Sequence, residues 1–160
     1  MFSGPEIAAL FEELGITHVV WVPDSSTGPW ETALESSRRL TLVRVCREGE
    51  AWPLAAGLFL GGKIHIVIMQ TTGLFESGDA LRNVLFDLKV PVFALIGVRN
   101  GLVAESRDSA NLFAEPIIKA WNIDAVWIRQ TNDKTLLREH FVACRRAARA
   151  GMALLAEGPP

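Results

Sequence analysis

Residues 42–73, LVRVCREGEAWPLAAGLFLGGKIHIVIMQTTG, leave few folds open to this chain. An apolar run, a Glu-bearing turn, an Ala-rich helical segment, a Gly-Gly stop, a second apolar run and a polar Thr-Thr-Gly loop follow one another. This is the pattern of one βαβ unit, whose parallel strands need a helical crossover between them. In parallel sheets ligands bind outside the carboxyl ends of the strands. Arg47 and Glu48 after the first strand, and Gln70, Thr71, Thr72 and Gly73 in a loop after the second, are therefore expected to line one crevice.

The rest of the chain repeats the alternation. Ser3 and Glu6 form a capping-box pattern for a first helix that Gly15 ends, and residues 18–22 (HVVWV) read as a buried strand. The loop 23–28 (PDSSTG) points to the same sheet edge, so Pro23, Asp24 and Ser25 join the candidate site. Helices are expected over 30–38, 48–60, 76–88, 112–121 and 133–150, with Pro116 placing the true start of the fourth near Glu115. Strands are expected over 41–45, 63–69, 90–98, 125–128 and 152–156. The polar stretch 99–109 reads as a mobile loop able to close over the site. The expectation is a single-domain α/β three-layer sandwich with a six-stranded parallel sheet over residues 1–156, and 157–160 as a frayed tail or linker.

Composition narrows the function. The 160 residues are 49% hydrophobic, enough for a real core. Sixteen basic against 18 acidic residues argue against nucleic acid as the main partner. No basic, apolar leader opens the sequence and no membrane-length apolar run occurs, so no membrane span is expected. Cys46 and Cys144 lack metal-ligand spacing and read as reduced thiols of a cytoplasmic protein. Residues 57–63 imitate a phosphate-binding loop, but they run from helix to strand and carry Ile64 where Ser or Thr is needed, so the glycines read as a helix stop. His65, inside an apolar strand, reads as a satisfied core or edge histidine.

Glu48 and Glu50 both fall at the head of the central helix, where the dipole stabilises carboxylates, and the residues alone favour capping over catalysis. The segment REGEAWPLAAG, with a following strand that ends in MQTTGL, resembles the pyrimidine-binding (PYR) domain of thiamine diphosphate enzymes. It is most similar to the sulfopyruvate decarboxylase α subunits and phosphonopyruvate decarboxylases. VPDS at 22–25, LIGVR at 95–99 and AEPIIKAW at 114–121 fit that family in the same order.

The resemblance implies a thiamine diphosphate-binding fold and a carboxy-lyase subunit acting on a small anionic 2-oxo acid. In the family, one glutamate contacts N1′ of the cofactor's aminopyrimidine, nine residues before the Gly of an Ala-Gly pair. Here 57 − 48 = 9, which selects Glu48 over Glu50. That role suits a carboxyl buried in an apolar cleft, where it shares a proton with N1′. Glu48, Gln70, Thr71, Thr72 and Gly73 are thus implied on the cofactor, and Pro23, Asp24 and Ser25 on the substrate. Two positions depart from the pattern. Thr71 and Thr72 replace an Asn-Ser pair, and Pro53 is expected to shift the helix start past Glu48 or to kink it. No Gly-Asp-Gly occurs to hold magnesium; the nearest string is Gly78-Asp79-Ala80. The magnesium and diphosphate are then held by a separate β subunit, with α chains forming a homo-oligomer. The alternatives are a noncatalytic module that retains the fold and a thiamine-dependent carboligase subunit.

Overall fold

The structure is a computed structural model in which residues 2–159 are described. Six parallel strands form one sheet in the order β2-β1-β3-β4-β6-β5. They are β1 (His18–Trp21), β2 (Thr41–Arg44), β3 (His65–Gln70), β4 (Phe93–Val98), β5 (Asp124–Ile128) and β6 (Gly151–Ala156). Side chains alternate between two apolar layers, as the two-residue repeat of a strand requires. Ile66 and Ile68 face a layer with α1 (Gly4–Glu13), α2 (Glu31–Ser36) and α7 (Lys134–Arg146). Val67 and Met69 face a layer with α3 (Glu48–Leu60), α5 (Gly78–Arg82) and α6 (Ser109–Ala120). The expected three-layer sandwich is what forms. The strand order reverses between β1 and β3, and again where β6 enters between β4 and β5, which opens space at the carboxyl edge.

Several boundaries differ from the sequence expectation. The Thr-Thr-Gly segment is no loop: it is the first turn of α4 (Thr71–Glu76), which leads through Ser77 into α5 and a π-helical turn over Asn83–Asp87. Helix α6 starts at Ser109, because the Asp108 carboxylate accepts from the Ala110 N–H; Pro116 therefore lies inside the helix rather than in its first turn. Helix α7 stops at Arg146, and Ala148 takes a positive φ of 48°. Gly151 is the first residue of β6, where a Cβ would collide with Cys144 Sγ. The capping box of Ser3 and Glu6 forms as read.

Candidate functional site

Helix α3 begins at Glu48 despite Pro53, whose ring lies on the exposed face. Glu48 shares a helical stripe with Ala51, Trp52, Ala55 and Ala56, all buried, because residues three and four apart stack on one face. Trp52 donates from Nε1 to Ser77 Oγ at 2.8 Å, and Ser77 donates in turn to the Gly73 carbonyl at 2.6 Å. These bonds clamp the head of α3 to the first turn of α4 and lay Glu48 across Gly73. A Cβ at Gly73 would meet Glu48 Oε1 at 2.6 Å and Cδ at 2.7 Å. Glycine is needed there for close approach. Truncating Trp52 to Ala would remove the clamp at a cost of about 3–5 kcal/mol.

The two glutamates divide the work at this helix end. Glu50 reaches back and accepts from the Cys46 N–H at 3.2 Å. Among the described residues no hydrogen bond occupies the Glu48 carboxylate. It is half-buried, so the apolar enclosure expected for it is not supplied by this chain alone. Arg47, beside it, pairs with Glu76 at 2.7 Å.

Other candidate residues have structural duties. Thr71, 1% exposed, donates its hydroxyl to the Gly97 carbonyl at 3.0 Å and ties β3 to β4. Asp24 folds its own loop, accepting from the Ser26 and Thr27 N–H groups and from the Thr27 hydroxyl at 2.7–2.8 Å. Thr72 and Pro23 are exposed. Gln70 donates to Ser26 Oγ at 3.2 Å, and with Ser25 these two line a crevice of about 1190 Å³ at the carboxyl edge.

The same crevice takes Arg99 and Asn100, from the stretch expected to close over the site, and Glu157, which the sequence reading left in the tail. Arg99 spans the Asp108 carboxylate at 2.7 and 3.2 Å, and Asn100 donates to Asp108 at 2.9 Å. Arg99, the Ala110 N–H and Asn100 hold the Asp108 carboxyl well below the usual carboxylate range. The stretch expected to be mobile is therefore knotted at its base. Glu157, expected in a frayed tail, continues the sheet: its N–H donates to the Val98 carbonyl at 3.0 Å. Burial pushes its carboxyl above the ordinary value, Asp24 adds to the rise, and Ser26 and Arg99 oppose it. The rule that strand ends line the crevice, applied to the last strand, would have found it.

Asp124, His140 and Cys144 cluster at the opposite, amino edge of the sheet, but Asp124 is paired with Arg149, and its backbone carbonyl meets His140 Nε2 at 3.1 Å. Among the described residues no helix is long and apolar enough to cross a membrane.

The chain is 28% identical over 148 residues to a phosphonopyruvate decarboxylase of Streptomyces hygroscopicus, an alignment covering 92% of this chain and 37% of that protein. It is 27% identical over 88 residues to the sulfopyruvate decarboxylase subunit alpha of Methanococcus maripaludis, covering 55% of this chain and 53% of the relative. The chain thus spans a little over a third of the first protein and about half of the second. No protein-family model matches it. The crystal structure of benzoylformate decarboxylase from Polynucleobacter necessarius superposes with a TM-score of 0.71 over 98% of this chain and 30% of that one, at 22% identity. The fold is therefore the one found in that decarboxylase, and the sequence resemblance extends to relatives named for both 2-oxo acids.

Proposed function

We propose that this chain is the aminopyrimidine-binding part of a thiamine diphosphate-dependent 2-oxo acid decarboxylase, of sulfopyruvate or phosphonopyruvate type. The observation that carries the reading is Glu48, seated on Gly73 at the head of α3 with a carboxyl group that no hydrogen bond occupies among the described residues. A glycine cradle beside an unengaged carboxyl fits a flat ring that needs a proton shared at one nitrogen. Bound there, thiamine diphosphate supplies a nucleophilic carbon for the keto group and a sink for the electrons released as carbon dioxide leaves. Glu48 would hold the proton at N1′, Gly73 makes room for the Glu48 side chain, and Gln70 with Ser25 and Ser26 faces the substrate side. Asp24 and Thr71 act by shaping those loops.

No Gly-Asp-Gly occurs in residues 1–160, so on this reading magnesium and the diphosphate are held by polypeptide outside them, and the relative named subunit alpha favours a separate subunit. That subunit would also supply the enclosure Glu48 lacks. Leu102 and Val103 on the loop, with Leu112 and Phe113 on α6, are 37–55% exposed and leave apolar surface for a partner chain flanking the crevice. The domain on this reading extends through Glu157, one residue beyond the expected 1–156, and a homo-oligomer of such chains is part of the assembly.

The test is reconstitution with a chain carrying Gly-Asp-Gly followed by Asn, and assay with 3-sulfopyruvate and 3-phosphonopyruvate. Glu48→Gln should lower kcat by roughly 10² or more with the fold unchanged. Glu50→Gln, which removes the charge but keeps an oxygen able to accept from the Cys46 N–H, should cost about 1 kcal/mol of stability or less and leave the rate nearly intact. Full activity in Glu48→Gln would leave a noncatalytic module as the better account.

A further inference from the structure

Both carboxylate oxygens of Glu157 are shut off from solvent and have no hydrogen-bond partner among the described residues. The residue is not a loose end. Its N–H donates to the Val98 carbonyl and its own carbonyl accepts from the Leu102 N–H, both at 3.0 Å. The side chain lies across Gly97, where any Cβ would collide with Oε1 and come within 3.2 Å of Cδ. The Ser26 hydroxyl beside it works against the effect of burial but carries no charge, and the charged neighbours are engaged or of the wrong sign. Arg99 is committed to both oxygens of Asp108, Asp24 is itself acidic, and Arg129, beyond β5 in the same crevice, stacks on the Trp127 ring at 4.0 Å. A buried acid that the fold leaves without a cationic partner, in a crevice, calls for an explanation outside packing.

We propose that Glu157 is the proton donor of this crevice, giving its carboxylic acid proton to the substrate carbon that loses carbon dioxide. The proposal rests on the decarboxylase reading. The bond from that carbon to the carboxylate breaks and leaves its electron pair on the carbon side. The Glu157 O–H bond breaks as a C–H bond forms, and the carboxylate left behind takes a proton from water. One proton is consumed, an aldehyde and carbon dioxide are released, and nothing is oxidised or reduced overall.

The placement suits the step. Gln70 at the end of β3 is in register with Gly97 of β4, which is in register with Leu155 of β6. At roughly 4.8 Å per strand, the β6 end stands about 10 Å from the β3 end that leads to Gly73 and Glu48. Glu157 lines the crevice with Gln70 and Ser26, while Glu48, at the head of α3, stands outside that lining on the β3 side; each carboxyl group lies over a glycine. A neutral acid at this place also spares an anionic substrate the repulsion a carboxylate would exert.

The test compares Glu157→Gln with the wild type in the full chain and in the assembled complex. Carbon-13 spectra of labelled glutamate carboxyls should show one group titrating above the ordinary range, and that resonance should vanish in the variant. Thermal unfolding adds a second readout. Because the fold favours the neutral acid, the wild type loses stability as pH rises from the unfolded-chain value through the raised folded one. The variant should therefore be the more stable at about pH 8 and equal to the wild type at about pH 4. In the complex kcat should fall by roughly 10² with KM little changed, and the alkaline limb of the kcat profile should disappear. Glu157 titrating at the ordinary value, or a variant that keeps its rate and alkaline limb, overturns the proposal. A wild-type complex that decarboxylates no 2-oxo acid overturns the parent reading instead, and this one with it.

Discussion

Each edge of the sheet buries one titratable side chain without a hydrogen-bond partner among the described residues, Glu157 at the carboxyl edge and His65 at the amino edge. Their surroundings differ. Around Glu157 the ends of β1, β3, β4 and β6 converge on an open crevice of about 1190 Å³ rich in hydroxyl, amide and guanidinium groups. His65, 6% exposed, lines a smaller and more apolar pocket of about 240 Å³ with Phe59, Phe93 and Phe141, where the charged groups are Lys63 and Arg145, both cationic. Strand ends in a parallel sheet feed loops that can carry chemistry, whereas strand beginnings are met by chain returning from helices. The same defect therefore has different meanings. At the carboxyl edge a buried acid has a large, polar space in which to act, and at the amino edge a buried imidazole faces aromatic rings and cations and costs stability.

Gly73→Ala should strike hardest at the carboxyl edge. The added methyl takes the place of the Glu48 carboxyl, which is half-buried and free to swing outward, so the fold should lose less than about 1 kcal/mol. Decarboxylation by the assembled complex should nevertheless fall by roughly 10², the scale of an ångström-level misplacement of a reacting group. Unchanged kcat would show that Glu48 does not need its seat on Gly73. Asp108→Ala comes next. It removes the cap of α6 and the Arg99 pairing together, at a cost of about 1–2 kcal/mol by denaturant unfolding. The Asp108 carboxyl is held below its unfolded value, so its contribution is present above that value and lost as pH falls below it. The gap between wild type and variant should close in strong acid. Amide exchange offers a finer reading of the same knot: Leu102, whose N–H bonds Glu157, should be protected in the wild type and exposed in the variant.

These residues also show where sequence reasoning reached and where it stopped. The strands were legible to within a few residues because apolar runs bounded by turn residues leave one reading, as with 63–69 against the observed His65–Gln70. The start of α3 at Glu48 was legible from its charged turn and Ala-rich stripe. Thr71 to Gly73 misled because Thr and Gly are poor helix formers, and the turn they make is held by distant partners, the Gly97 carbonyl and Trp52 through Ser77. Pro116 misled because Pro marks a helix start only on average, and here the Asp108 cap set the start seven residues earlier, at Ser109. Glu157 was hidden by the Gly-Pro-Pro after it; its burial depends on Gly97 and Leu102, which no local pattern reveals. Asp24 was placed on the right loop, yet its hydrogen bonds turn inward to the loop itself.

His65→Leu is the smallest effect and the sharpest test of the comparison, because its expected sign is unusual for a core substitution. Burial pushes the imidazole below its ordinary value, Arg145 and His18 add to the fall, and a backbone contact at Lys63 opposes it. Protonation therefore favours the unfolded chain, and the wild type keeps its full stability only above the unfolded histidine value, losing it as pH falls below. Leucine fills a similar volume and carries no nitrogen to leave unpaired, so the variant should gain about 1 kcal/mol at pH 8. The gain should be larger at about pH 5, where the buried imidazole is under pressure to take up a proton. Thermal melts at the two pH values measure both. Loss of stability at both would mean that the ring nitrogens have a partner in solution. The amino edge would then be a second binding edge, and the contrast with Glu157 would fail.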